Sequence, residues 1–179
     1  MKRKNFMFTT HFSYDDLTQV PAEVLAAYGH NAATIENLMS SNTPDSLQMV
    51  ALENLSKRLL EPLYNEFGPL QIETAFRSQA LNEAMHGLGG LSRHLSGEAV
   101  DLLFTDLDTG RAYYRYILRH GGFDQLMFQY RRGRCMRLHC SLMLDDRENR
   151  HQSFPNYALY GESSADDGVC HQKSCHDTL

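Results

Sequence analysis

No stretch of the 179-residue sequence approaches the roughly 20 consecutive apolar residues that a membrane span needs, so no membrane partner is expected. The amino terminus, M-K-R-K-N-F-M-F-T-T-H-F, is basic but lacks the apolar run of a secretory signal, and synthesis in the cytoplasm without a signal peptide is expected. Excess positive charge is also missing. The formal charge of −5 argues against an extended surface for nucleic acid or anionic lipid, and leaves the R-R-G-R run at 131–134 as a local basic patch. The four cysteines fall in two pairs, Cys135 with Cys140 and Cys170 with Cys175, which do not make a secreted disulfide framework; reduced thiols are expected. There is no internal repeat and no low-complexity tract. What remains is ordinary globular material: 42% hydrophobic and 22% charged residues, in a chain long enough for one well-buried core and short for two.

Between 45 and 65, the residues Leu47, Val50, Ala51, Leu55, Leu59 and Leu63 recur at three- and four-residue steps, which predicts an amphipathic helix. Asn42 or Thr43 can cap it, Pro44 suits the first helical position, Asp45 complements the dipole, and Gly68 and Pro69 end it. Upstream, S-Y-D-D-L predicts a capped short helix, and the polar stretch to Asn42 reads as loop or weak helix, so that this region forms an N-terminal arm. Downstream, strands are expected at 70–75, 98–104, 123–130 and 136–144, helices at 78–85 and 109–119, a flexible loop at 86–91 and a hairpin turn at 131–134. Helices first and a largely antiparallel sheet afterwards is an α+β layout. A single domain over 1–150 followed by a mobile polar tail over 151–179 is the expected organisation.

In S-R-H-L-S-G-E-A-V-D, at 92–101, His94 and Asp101 stand seven residues apart across Gly97. The histidine lies in a loop and the aspartate on the strand which that loop feeds, and the glycine lets the backbone turn tightly enough for the two to converge. His139, in R-L-H-C-S-L-M, is a third candidate. Two imidazoles and a carboxylate form a recognised catalytic zinc set, with a fourth position left for water. By spacing alone, the plainer alternative of ordinary polar histidines stands beside the metal reading.

The runs A-F-R-S-Q-A-L-N (75–82), S-R-H-L-S-G-E-A-V-D (92–101), F-D-Q-L-M (123–127) and L-H-C-S (138–141) together resemble the zinc D-Ala-D-Ala carboxypeptidases and related peptidoglycan peptidases. The likeness extends over about 11–150 and is nearest to the compact phage and prophage branch, with its Hedgehog/DD-peptidase-like fold. It implies zinc ligands at His94, Asp101 and His139. It also implies Arg77 as the cation that steadies the substrate carbonyl as charge develops, and Ser92 and Gln129 as substrate-binding residues. The partner implied is the peptidoglycan stem peptide, reached after release from the cytoplasm or delivery to the wall, as in a lysis enzyme. Duller roles remain open: Arg77 capping a helix or pairing with Glu73 or Glu83, and Ser92 capping a turn.

The chain departs from the family pattern at the general base. The acid that several relatives carry three residues before the last histidine is Met136 here. The acid that ends the F-D-Q-L segment in the compact branch aligns with Gln129, an amide that accepts no proton at neutral pH. Asp124 is the remaining candidate base, against the alternative of a structural aspartate bonding loop amides. An aromatic residue usual before the last histidine is replaced by Arg137. Two functions are therefore carried forward: zinc-dependent hydrolysis of a stem-peptide bond, and a catalytically impaired zinc domain that binds such peptides. A fully coordinated structural zinc domain is a third, weaker reading. The C-H-x-x-x-C-H run at 170–176 offers soft ligands without paired spacing, and a Cys140–His139 nucleophile is disfavoured because neighbours on a strand point to opposite faces.

Overall fold

The computed structural model describes residues 6–85, 91–131, 135–156 and 159. Most of the loop expected at 86–91, the centre of the 131–134 turn, His86 and the 170–176 Cys/His run lie outside the described residues.

The arm consists of three short helices, α1 (Tyr14–Thr18), α2 (Ala22–Ala27) and α3 (Ala32–Ser41). Ser13 and Asp16 close a reciprocal capping box on α1, as S-Y-D-D-L predicts. The stretch to Asn42, expected as loop or weak helix, is largely helical; Asn31 caps α3 by accepting from the Thr34 N–H. The long amphipathic segment runs as α4 (Ser46–Leu55), one π-helical turn at Ser56–Leu60, and α5 (Glu61–Phe67), ended at Gly68 with φ 82°. Its cap is Asp45, which accepts from the Leu47 and Gln48 amides and closes a box with Gln48, so Asn42 and Thr43 are not the caps and Pro44 stands outside the helix.

Strand β1 (Gln71–Thr74) leads through α6 (Gln79–Ala84) and a 3₁₀ turn at Arg93–Ser96 to β2 (Ala99–Leu103). Helix α7 (Leu107–His120) follows, capped by Asp106, and then β3 (Gln125–Arg131), β4 (Cys135–Ser141) and β5 (Gln152–Phe154). The five strands lie in the order β1-β2-β4-β3-β5, antiparallel except for the β3–β5 pair, and the α+β class holds with a mixed sheet. β5 falls in the stretch expected to be tail. Among the described residues no helix is long and apolar enough to cross a membrane.

Register decides which side chains meet. Val100 pairs with Cys140 and Cys140 with Leu126, while Leu102 pairs with Leu138 and Leu138 with Phe128. Directly paired residues share a face. All of these are buried in one cluster with Leu52, Leu55, Leu59, Leu60 and Leu63 of the long helical segment and Tyr113, Tyr114 and Ile117 of α7. The alternate residues necessarily point the other way. There Asp101 pairs with His139, and His139 with Met127.

Candidate metal centre

Three separate pieces of chain supply the centre. Asp101 and His139 are placed by β2 and β4 as directly opposed residues, and the Asp101 Oδ1 accepts from the His139 Nδ1 at 2.8 Å. His94 comes from the 3₁₀ turn, and the reversal that brings it back over β2 occurs at Gly97. That residue has φ 77°, and a Cβ there would lie 2.8 Å from the Gln48 carbonyl oxygen of α4. Glycine is thus required twice, by the left-handed backbone and by the close approach to the helix. The His94 Nε2 stands 3.4 Å from the Asp101 Oδ2, and the two imidazole rings are 5.1 Å apart between centres.

One ligand atom from each of His94, Asp101 and His139 lies within 4.8 Å of the others, so the cluster is capable of coordinating a metal ion. The donor set suits a divalent metal such as zinc. Zinc–ligand bonds of about 2.0–2.1 Å in a tetrahedron put neighbouring ligand atoms about 3.3 Å apart, close to the His94–Asp101 separation. The His94 Nδ1 is 2.7 Å from the Ala75 carbonyl oxygen and donates to it, which fixes the tautomer and leaves Nε2 as the free lone pair facing Asp101. Burial, followed by the field of Arg77, lowers the His94 pKa to about 4, so the ring is neutral at pH 7, as a ligand must be. Burial works to raise the Asp101 carboxyl, but the neighbouring His94, Arg77 and His139 outweigh it and hold it well below the usual range.

Arg77 reaches the centre from the segment between β1 and α6. Its guanidinium is buried and donates to the Asp101 Oδ2. The partners open to it in sequence are taken elsewhere: Glu83 accepts from Gln79, and Glu73 pairs with Arg137 through two contacts of 2.7 and 2.8 Å. Burial lowers the Arg77 pKa against the opposing pull of Asp101, and arginine has ample room to remain a cation. Ser92 precedes the 3₁₀ turn, two residues from His94; its backbone carbonyl accepts from the Leu95 N–H, and its side chain makes no cap bond. Gln129 pairs with Arg137 across β3 and β4, on the same face as His139. Met136 pairs with Tyr130 and packs against the core cluster, on the face away from the centre.

Asp124 is not gathered into this group. It lies just before β3, fully buried, with both carboxylate oxygens held by Arg150: Oδ1 accepts from Nε at 2.7 Å and Oδ2 from Nη2 at 2.6 Å. Oδ1 also accepts the Arg150 backbone N–H at 3.1 Å. Those bonds, led by the Arg150 side chain, lower its pKa. The arrangement is a bidentate pair with an arginine side chain plus one loop amide, nearer to the structural alternative the sequence left open than to a free base, and a carboxylate so engaged is a weak proton acceptor. Cys140 is buried on the core face, and burial raises its thiol, so it offers no thiolate beside His139.

Sequence reasoning missed the pair Glu73–Arg137. The Arg137 Nη1 comes within 3.9 Å of the Asp101 Oδ2, so two guanidiniums flank that carboxylate. Burial raises Glu73 to about 7 despite the Arg137 contact. The available signal was joint: a carboxylate two residues before the A-F-R-S segment, and an arginine in place of an aromatic residue two before His139. One step on from Ile72, which pairs with Leu102 on the core face, Glu73 falls on the face of Asp101 and Arg137, and the register shift after Ile72 brings Thr74 opposite Asp101 as well.

No family model and no curated protein sequence matches the chain. A buried His/Asp/His triad positioned to bind a metal ion, consistent with a metal-dependent active site, is therefore what defines the class of this protein.

Proposed function

We propose that the protein is a zinc-dependent hydrolase of the peptidoglycan stem peptide, a D-Ala-D-Ala carboxypeptidase or a related endopeptidase, with the Hedgehog/DD-peptidase-like fold. The observation that carries the reading is the convergence of His94, Asp101 and His139, with Arg77 seated on the same carboxylate. The substrate class is supported by the motif resemblance, in which these four residues occupy the ligand and carbonyl-steadying positions. A zinc ion bound there would polarise a carbonyl and acidify a water. His94, locked by the Ala75 carbonyl, presents one nitrogen in a fixed direction, and Asp101 and His139 are held by paired strands; Arg77, seated on Asp101, would supply a permanent cation to an oxyanion formed at the metal. The same resemblance supports Ser92 and Gln129 as substrate-binding residues. Delivery to the wall, as a phage or prophage lysis enzyme, follows from the same resemblance.

A second reading is favoured by one specific observation: Asp124, the remaining candidate base, is committed to Arg150, while the two family acid positions hold Met136, which packs on the core, and the amide Gln129. In that reading the domain binds stem peptides without turning them over. Purified protein loaded with zinc and incubated with a stem pentapeptide separates the two. Release of D-Ala or of a shorter peptide, abolished by His139→Ala, supports hydrolysis; stoichiometric zinc and saturable peptide binding without products refutes it.

A further inference from the structure

The four residues at 75–78 join β1 to α6 without belonging to either, yet they carry two parts of the centre: the Ala75 carbonyl that orients His94, and Arg77. Such a stretch has no ladder of its own to fix it. Its backbone groups are divided between two neighbours. The Arg77 N–H donates to the His94 carbonyl at 3.1 Å, on the side of the centre. Phe76 and Ser78 are held from the side of the N-terminal arm. The Phe76 N–H donates to the Leu17 carbonyl at 2.9 Å. Asn42, 3% exposed at the C-terminal end of α3, does the rest with one amide. Its Nδ2 donates to the Thr18 carbonyl at 2.8 Å and the Phe76 carbonyl at 3.4 Å, while its Oδ1 accepts the Ser78 N–H at 2.7 Å. The partners are two carbonyls and one N–H, so the orientation of the amide is fixed, and only a side chain carrying donor and acceptor together satisfies all three.

We propose that Asn42 is a positioning residue for the metal centre: by clamping 75–78 against the arm it sets the Ala75 carbonyl under His94 and Arg77 beside Asp101. The N-terminal arm is then a working part of the site. The inference rests on the metal-binding part of the reading above and is independent of peptide hydrolysis. Oriented partners of ligand histidines are typically worth about 10–100-fold in metal affinity. Asn42 acts one bond further out, so a loss near the lower end, about tenfold, is expected for Asn42→Ala and Asn42→Asp, the latter keeping only the acceptor.

The probe is cobalt(II), titrated into the full chain and followed by its visible absorption, with Ile117→Ala as a control. Ile117 is buried in the core cluster on the opposite face of the sheet and touches none of these bonds, so its variant reports general destabilisation. Weaker cobalt binding with altered bands in both Asn42 variants, against unchanged binding in Ile117→Ala, supports the proposal. Wild-type affinity and spectrum in a folded Asn42→Ala, or an equal loss in Ile117→Ala, overturns it. If neither Asn42 variant folds, zinc is titrated into the native chain and followed by amide NMR. Shifts of the Asn42 side-chain amide and the Ser78 N–H support coupling, and their constancy while His94 responds refutes it. A native chain that binds no cobalt at all brings down the metal reading itself, a result distinct from these.

Discussion

Replacing Arg77 with methionine removes a charge from a pair whose two members have side-chain exposures of 8% and 3%. Methionine keeps much of the length and none of the charge, so the main effect is to leave Asp101 buried with less compensation. Breaking a buried pair from one side typically costs about 3–5 kcal/mol. The His139 hydrogen bond and the more distant Arg137 remain on Asp101, which places the expected loss toward the lower figure. For a chain of this size each kcal/mol corresponds to roughly 2–4 °C in melting temperature, so the metal-free variant should melt about 6–12 °C below the parent. A bound divalent cation supplies the charge that Arg77 supplied. Zinc should therefore raise the melting temperature of Arg77→Met more than that of the parent, while turnover, if Arg77 steadies the oxyanion, falls by about 100-fold or more. Thermal melts by circular dichroism, with chelator and with zinc, read both effects. Equal melting temperatures without metal, or equal increments with it, would refute the claim that Arg77 and the ion share one carboxylate.

Three further outcomes follow from the same geometry. In metal-free protein, His94 at about 4 against its ordinary 6.5 means that the unfolded chain binds the extra proton between those values, so this group removes stability as the pH falls from 6.5 to 4. Glu73, raised to about 7, binds its proton in the folded chain first and adds stability on the way down from 7 to 4.5. The two slopes oppose, and Glu73→Gln should expose the His94 slope as a steeper acid loss of on the order of 3 kcal/mol, measured by urea unfolding at several pH values; an unchanged pH profile contradicts the assignment. Gly97→Ala should lose about 1–2 kcal/mol from the left-handed backbone alone, with more from the Gln48 contact, and should weaken metal binding because His94 and Asp101 flank it; a variant with native stability and affinity counts against the tight reversal. Cys140 should resist thiol reagents in the folded protein and react on denaturation; rapid native labelling would contradict its burial.

Local patterns carried much of the fold. The long helical segment was legible because Ala51, Leu55, Leu59 and Leu63 recur on one buried stripe, although Leu47 and Val50, read into the same stripe, are exposed; β2 was legible because Val100 and Leu102 alternate with Asp101. The His94–Gly97–Asp101 spacing was legible as a convergence because both residue types and the turn between them lie within one short run. What escaped was set by partners distant in sequence. α3 buries only Leu38, so it shows little periodicity of its own. β5 is exposed along its whole length and is a strand because it pairs in parallel with β3, a relation that leaves no apolar alternation to read. Asp124 resembled a base because its segment did; its commitment to Arg150, 26 residues away, has no local signature. The Glu73–Arg137 pair spans 64 residues and joins β1 to β4 across β2, a neighbourhood that only the sheet order creates.

The central claim is tested most directly by titrating zinc into metal-stripped protein while measuring stoichiometry, with X-ray absorption on the loaded sample. The account predicts one ion per chain in a nitrogen and oxygen shell containing two imidazoles, lost when His94, Asp101 or His139 is replaced by alanine. A chain that takes up no zinc, or that binds it equally well without those three side chains, contradicts the account.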